Sequence, residues 1–147
     1  AWLAALLTGE RPVRWLVLRV PALYPDRWWD APKESLDADA LCAYRQTGQD
    51  TASDRALAAC AAFQGEVLLV WSGQDEILPQ ALADSFQVAF PGASSLTVRR
   101  LRGADYGVSS DASPAEYPTL LGHWLGMSLR ARRRRLLARA LDAEPAG

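Results

Sequence analysis

Two short segments carry the residues best suited to chemistry. The first is Trp71-Ser72-Gly73-Gln74-Asp75-Glu76-Ile77-Leu78-Pro79, which closes an apolar run. The second is Leu101-Arg102-Gly103-Ala104-Asp105-Tyr106-Gly107-Val108-Ser109, which closes the next one. A carboxylate two residues after a glycine, just past a strand, can point across a sheet edge toward the neighbouring loop. An acid that orients a catalytic imidazole has to stand there. On residue type alone, Asp75 serves equally well as a turn aspartate that bonds nearby N–H groups, or as a cap for the helix near Pro79. Asp105 reads as a turn former and Glu76 as a solvated carboxylate.

Other reactive side chains are few. His123 is the single histidine, and it sits among Leu120, Leu121, Trp124 and Leu125. Helical geometry keeps it away from the strand ends, so it reads as a packing or partly exposed residue. The two cysteines, Cys42 and Cys60, form no disulfide framework and no C-x-x-C knuckle. Both fall on expected helices and read as inert apolar residues. Tyr24, Trp28 and Trp29 suit either the lining of a pocket or the anchoring of a helical excursion, and packing is the commoner use of aromatics after a strand. Arg130, Arg132, Arg133, Arg134, Arg135 and Arg139 suit an anion, RNA or membrane surface. They equally suit a solvated helix end, where cations complement the dipole, and with no aromatic interleaved the second reading is preferred.

The elements that must position these residues follow from hydropathy patterning. Residues 1–8 read as the end of a helix closed by Gly9. Residues 13–20 (VRWLVLRV) and 66–72 (EVLLVWS) are nearly continuous apolar runs, as in strands buried on both faces of a parallel sheet. Residues 94–101 alternate only in part, with Arg99 and Arg100 exposed, which suits a strand near a sheet edge. Between the first two strands, 21–32 is an aromatic loop. Helices are expected near 37–47 and 51–63, the second capped by Asp50 or Thr51. A helix is expected over 79–90, stopped by Pro91-Gly92. A long helical region is expected over 114–141, with weak points at Pro118, Gly122 and Gly126, followed by a frayed tail over 142–147. Strands alternating with helices imply a parallel α/β sheet with right-handed crossovers.

With this order of elements in place, the two loops resemble those of α/β-hydrolase-fold enzymes. Ser72-Gly73-x-Asp75-x-x-Leu78-Pro79 is similar to their acid loop. Gly103-Ala104-Asp105-Tyr106 is similar to their Gly-Ala-Asp-His turn. Leu3–Leu7 followed by Arg11-Pro12-Val13 resembles the stretch just after the nucleophile elbow. The resemblance spans nearly all of 1–127 and is nearest to bacterial hydrolases of the serine-aminopeptidase or dienelactone-hydrolase sort. It implies the C-terminal part of an α/β-hydrolase domain over 1–141, with 21–64 forming part of a cap. It implies Asp75 as the triad acid and Tyr106 at the base position, with an ester or amide substrate and no metal or organic cofactor.

The departures from the family pattern are equally definite. No Gly-x-Ser-x-Gly occurs in 1–147, and Tyr106 stands where the family carries histidine. A phenol with a pKa near ~10 is a poor base at neutral pH. The expectation is therefore a chain that is inactive as given, lacking its nucleophile and needing the remainder of a hydrolase domain before Ala1. The alternative is a non-catalytic binding protein on the same fold.

Composition narrows the remaining classes. The 147 residues are 50% hydrophobic and 22% charged, which excludes a disordered chain. Sixteen basic against 17 acidic residues give a net charge of −1, which argues against a generally basic nucleic-acid binder. No apolar run approaches the ~20 residues of a membrane span, and a reducing cytoplasm is the expected compartment. Fifteen of the 16 basic residues are arginine, and asparagine is absent. That pattern suits the codon bias of a GC-rich bacterial genome.

Overall fold

The structure is a computed structural model that describes residues 12–72, 79–101 and 115–142. The architecture is mixed α/β, with a three-stranded parallel sheet and four helices. In chain order these are β1 (Trp15–Arg19), α1 (Ala38–Gln46), α2 (Arg55–Ala61), β2 (Glu66–Ser72), α3 (Gln80–Val88), β3 (Ser95–Leu101) and α4 (Glu116–Asp142). Short 3-10 turns at Asp26–Trp28 and Lys33–Ser35 shape the segment after β1.

The strands lie in the order β1-β2-β3, and both pairings are parallel. Register runs from Trp15 opposite Glu66 to Arg19 opposite Val70, and from Glu66 opposite Ser95 to Ser72 opposite Leu101. The three expected strands are therefore present as adjacent parallel neighbours. β2 is the central one and is buried from Val67 to Ser72. Its side chains alternate between two cores. Val67, Leu69 and Trp71 meet Leu57 and Cys60 of α2 and Leu82 and Phe86 of α3. Leu68 and Val70 face the other way, onto Leu101 and Trp124 of α4. Both crossover connections thus cover one face of the sheet, and α4 covers the other.

Three local expectations are corrected. β1 is not buried on both faces: Leu16 and Leu18 are buried, while Trp15, Val17 and Arg19 are half-buried. On that second face Trp15 and Val17 lie at the margin of the α4 core, and the Arg19 guanidinium sits 5.1 Å from the centre of the Tyr117 ring. The cap of α2 is Asp54, not Asp50 or Thr51. Its Oδ1 accepts from the N–H groups of Ala56 and Leu57. Asp50 instead closes the preceding turn by accepting from Ala52 and Ser53 N–H. Those hydrogen bonds hold its carboxyl below the usual range, the Ser53 side-chain bond contributing most. Finally, Pro118, Gly122 and Gly126 do not interrupt α4. Pro118 lies in the first turn, where its missing N–H has no helical partner to lose. Each glycine costs only about 1 kcal/mol against alanine, which burial of neighbouring Trp124 outweighs.

Among the described residues, Gly65 is the one glycine that close approach demands. A Cβ there would run into the Arg14 carbonyl and the Phe63 ring. The chain passes through this point because Glu66 N–H bonds the Arg14 carbonyl and starts the β1–β2 pairing.

Candidate functional site

The strands end together at one edge. Ser72 and Leu101 are register partners, and both are buried. The strands that precede Asp75 and Tyr106 in the chain therefore end side by side. In an open α/β sheet this carboxyl edge is where ligands bind. Asp75, Glu76, Asp105 and Tyr106 themselves lie outside the described residues, so no distance between them enters the description of the edge.

The first strand reaches the same edge with an unusual backbone. Val20 has φ 43°, a left-handed value for a β-branched residue. Such a conformation costs on the order of 1–3 kcal/mol and persists only where its surroundings dictate it. Here Val20 N–H donates to the Val70 carbonyl at 2.8 Å, and Pro21 follows directly. The kink turns the chain off the sheet one residue after β1 ends. Beside it, on β2, the Trp71 ring packs against Phe86 at 6.1 Å between centroids. Its buried indole Nε1–H has no hydrogen-bond partner among the described residues. A strained backbone one residue past the end of β1 and an unmet buried donor one residue before the end of β2 thus lie on neighbouring strands. Apolar packing alone accounts for neither.

The aromatic loop after β1 anchors the helical excursion. The Arg45 guanidinium of α1 lies 4.9 Å from the Tyr24 ring centre, and its Nε donates to the Leu23 carbonyl. The Arg55 guanidinium of α2 lies 4.5 Å from the Trp29 ring centre, and the Arg55 N–H donates to Asp26 Oδ1. Each aromatic–arginine pair ties the loop to a different helix, which is the packing use of these side chains.

Sequence reasoning missed a buried polar pair between the same helices. Asp54, 2% exposed, accepts from the Tyr44 hydroxyl through Oδ2 at 2.8 Å while its Oδ1 caps α2. Burial, reinforced by the neighbouring Asp54 carboxylate, pushes the Tyr44 hydroxyl well above its ordinary value, so it stays a donor. With both oxygens of this carboxylate engaged, the pair is structural. The only available signal was an aspartate at a helix start ten residues after a tyrosine. His123 is exposed on α4. Cys60 is buried as expected, but Cys42 is exposed and not packed among apolar groups. It falls on the solvent side of α1, a helix with no buried residue.

Among the described residues, no cluster of three His, Cys, Asp or Glu side chains could hold a metal ion. No helix there is long and apolar enough to cross a membrane. No protein-family model and no curated protein matches the chain.

Proposed function

We propose that this chain carries the acid and base loops of a serine-type α/β hydrolase, with Asp75 as the triad acid and Tyr106 at the position of the lost base. The observation that supports the reading is the pairing of Ser72 with Leu101, the last residues before the two motif-bearing segments, at one sheet edge. In such an enzyme an elbow serine attacks an ester or amide carbonyl, and a histidine oriented by the acid takes its proton. The chain has neither the elbow nor that histidine. We infer that it does not hydrolyse esters, and that its partner in a competent enzyme is the elbow-bearing part of the same domain. The same reading carries a cytoplasmic setting, which two free cysteines favour.

A second reading is favoured by Tyr106 alone: a non-catalytic binding protein that has kept the pocket and lost the chemistry. One assay separates the two, release of p-nitrophenol from short acyl esters. Tyr106→His in this chain stays inactive, because the members of a triad act as a unit and the serine is still missing. Supplied with an elbow-bearing segment, the hydrolase reading requires Tyr106→His to exceed the unmodified chain by roughly 10³-fold. Equal, measurable rates for the unmodified chain and the Tyr106→His variant remove Tyr106 from the base position. No turnover from either supports the binding protein.

A further inference from the structure

We propose that a cavity at the opposite, N-terminal edge of the sheet binds a small anion bearing a diphosphate group. α4 is 27 residues long, about 40 Å at 1.5 Å per residue, whereas the seven-residue strands span about 23 Å. The helix therefore runs past the sheet. The cavity of about 630 Å³ lies between this overhang and the strand starts, and that volume is in the range of small-ligand sites.

The walls of the cavity define the chemistry. Residues three and four apart share a helix face. Along the sheet-facing stripe of α4, Tyr117, Leu121, Trp124 and Ser128 are succeeded by Arg132, Arg135 and Arg139. All three arginines line the cavity, and Arg14 joins them from the residue before β1. Among the described residues Glu66 is the one carboxylate in the lining, and Arg135 already engages it at 2.7 Å. Among the described residues, Arg132 and Arg139 meet no carboxylate at all. Like charges stacked at this spacing destabilise a helix by a few tenths of a kcal/mol per pair, so an anion between them removes a penalty as well as gaining contacts. The whole chain has a net charge of −1, so this concentration of cations is local and not a general basicity.

Guanidinium groups recognise phosphate by paired N–H donors in a planar fork. Two forks that meet no carboxylate among the described residues, and the neighbouring Arg14, suit two linked phosphates better than one. Trp15 and Phe63 also line the cavity. Phe63 is buried, and the half-exposed Trp15 ring can hold an organic group attached to the diphosphate. Inorganic pyrophosphate and a nucleoside diphosphate share the recognised chemistry, and the test distinguishes them.

The experiment is calorimetric titration of the full chain at about 0.15 M ionic strength, where charges outside the cavity are screened, with pyrophosphate, ADP and AMP. Saturable one-to-one binding of pyrophosphate or ADP is expected, with AMP at least about tenfold weaker. Tighter binding of ADP than of pyrophosphate assigns Trp15 to an organic group, and equal affinities assign the site to diphosphate alone. The double variant Arg132→Gln/Arg139→Gln should weaken binding by about tenfold or more. It keeps the Arg135–Glu66 pair, and circular dichroism should show unchanged helix content. Arg130→Gln/Arg133→Gln, on residues outside the cavity lining, should change affinity less than about twofold. Equal losses in the two double variants overturn the site, because the effect is then general charge. So does the absence of saturable diphosphate binding, including the case where only phosphatidylglycerol vesicles bind and the exposed leucines Leu136 and Leu137 are what they need.

Discussion

Cys60 shows how one buried group sets a pH dependence. Desolvation first, and then the nearby Asp54 charge, push its thiol from an ordinary value of 9.0 up to about 12. As pH rises above about 9, the unfolded chain gives up this proton while the folded chain keeps it. Unfolding is then favoured, so stability falls across the window from about pH 9 to about 12, by at most about 1.4 kcal/mol per pH unit from this group. Cys60→Ala should flatten that loss, read as the difference in urea midpoint between about pH 8 and about pH 10. An unchanged difference would mean that the thiol titrates normally. The sequence showed Cys60 as an apolar helical residue, and its burial agrees. It could not show the carboxylate that shares its environment, because Asp54 is one of several cap-forming residues over 50–54 and becomes a buried cap only when α2 docks.

At the scale of elements, most of the order was legible and most of the junctions were not. The run 66–72 is the strand Glu66–Ser72, because five consecutive apolar residues, Val67 to Trp71, within a segment bounded by Gly65 and Gly73 admit little else. The start of α2 was misread because several cap-forming residues occur between 50 and 54, and composition does not rank them. Tertiary contact does: Asp54 alone caps α2 and also meets Tyr44 of α1. Asp54→Ala should therefore cost more than an exposed cap, about 2–4 kcal/mol against the usual ~1, since it also strands the Tyr44 hydroxyl. Tyr44→Phe should cost about 1–2 kcal/mol by leaving one carboxylate oxygen unmet. Urea midpoints of the two single variants and the double variant check this. If the two losses simply add, the helices are not coupled through the pair. The candidate catalytic loops were legible as motifs only, because their chemistry depends on how Asp75 and Tyr106 meet, and both lie outside the described residues.

For the molecule as a whole, the parallel three-strand arrangement follows from alternating strand-like and helical runs, and it is what the structure has. The arginine-lined edge was not legible. Six arginines near a helix end look like a solvated terminus until the length of α4 is set against that of the strands. The overhang gives this single helix two different lifetimes. Trp124 and Ser128 are buried, whereas Leu136, Leu137 and Leu141 are more than half exposed. Amides in the first half of α4 should exchange with deuterium only when the domain opens globally, and those beyond Ser128 should exchange by fraying, faster by orders of magnitude. Mass-spectrometric exchange on peptides from the two halves measures the gradient, and uniform protection would show that the overhang is held by more than the Arg135–Glu66 contact. Where the gradient exists, the far half of α4 becomes a clock for the cavity beneath it: whatever settles among the arginines slows its exchange, and whatever leaves lets it run again.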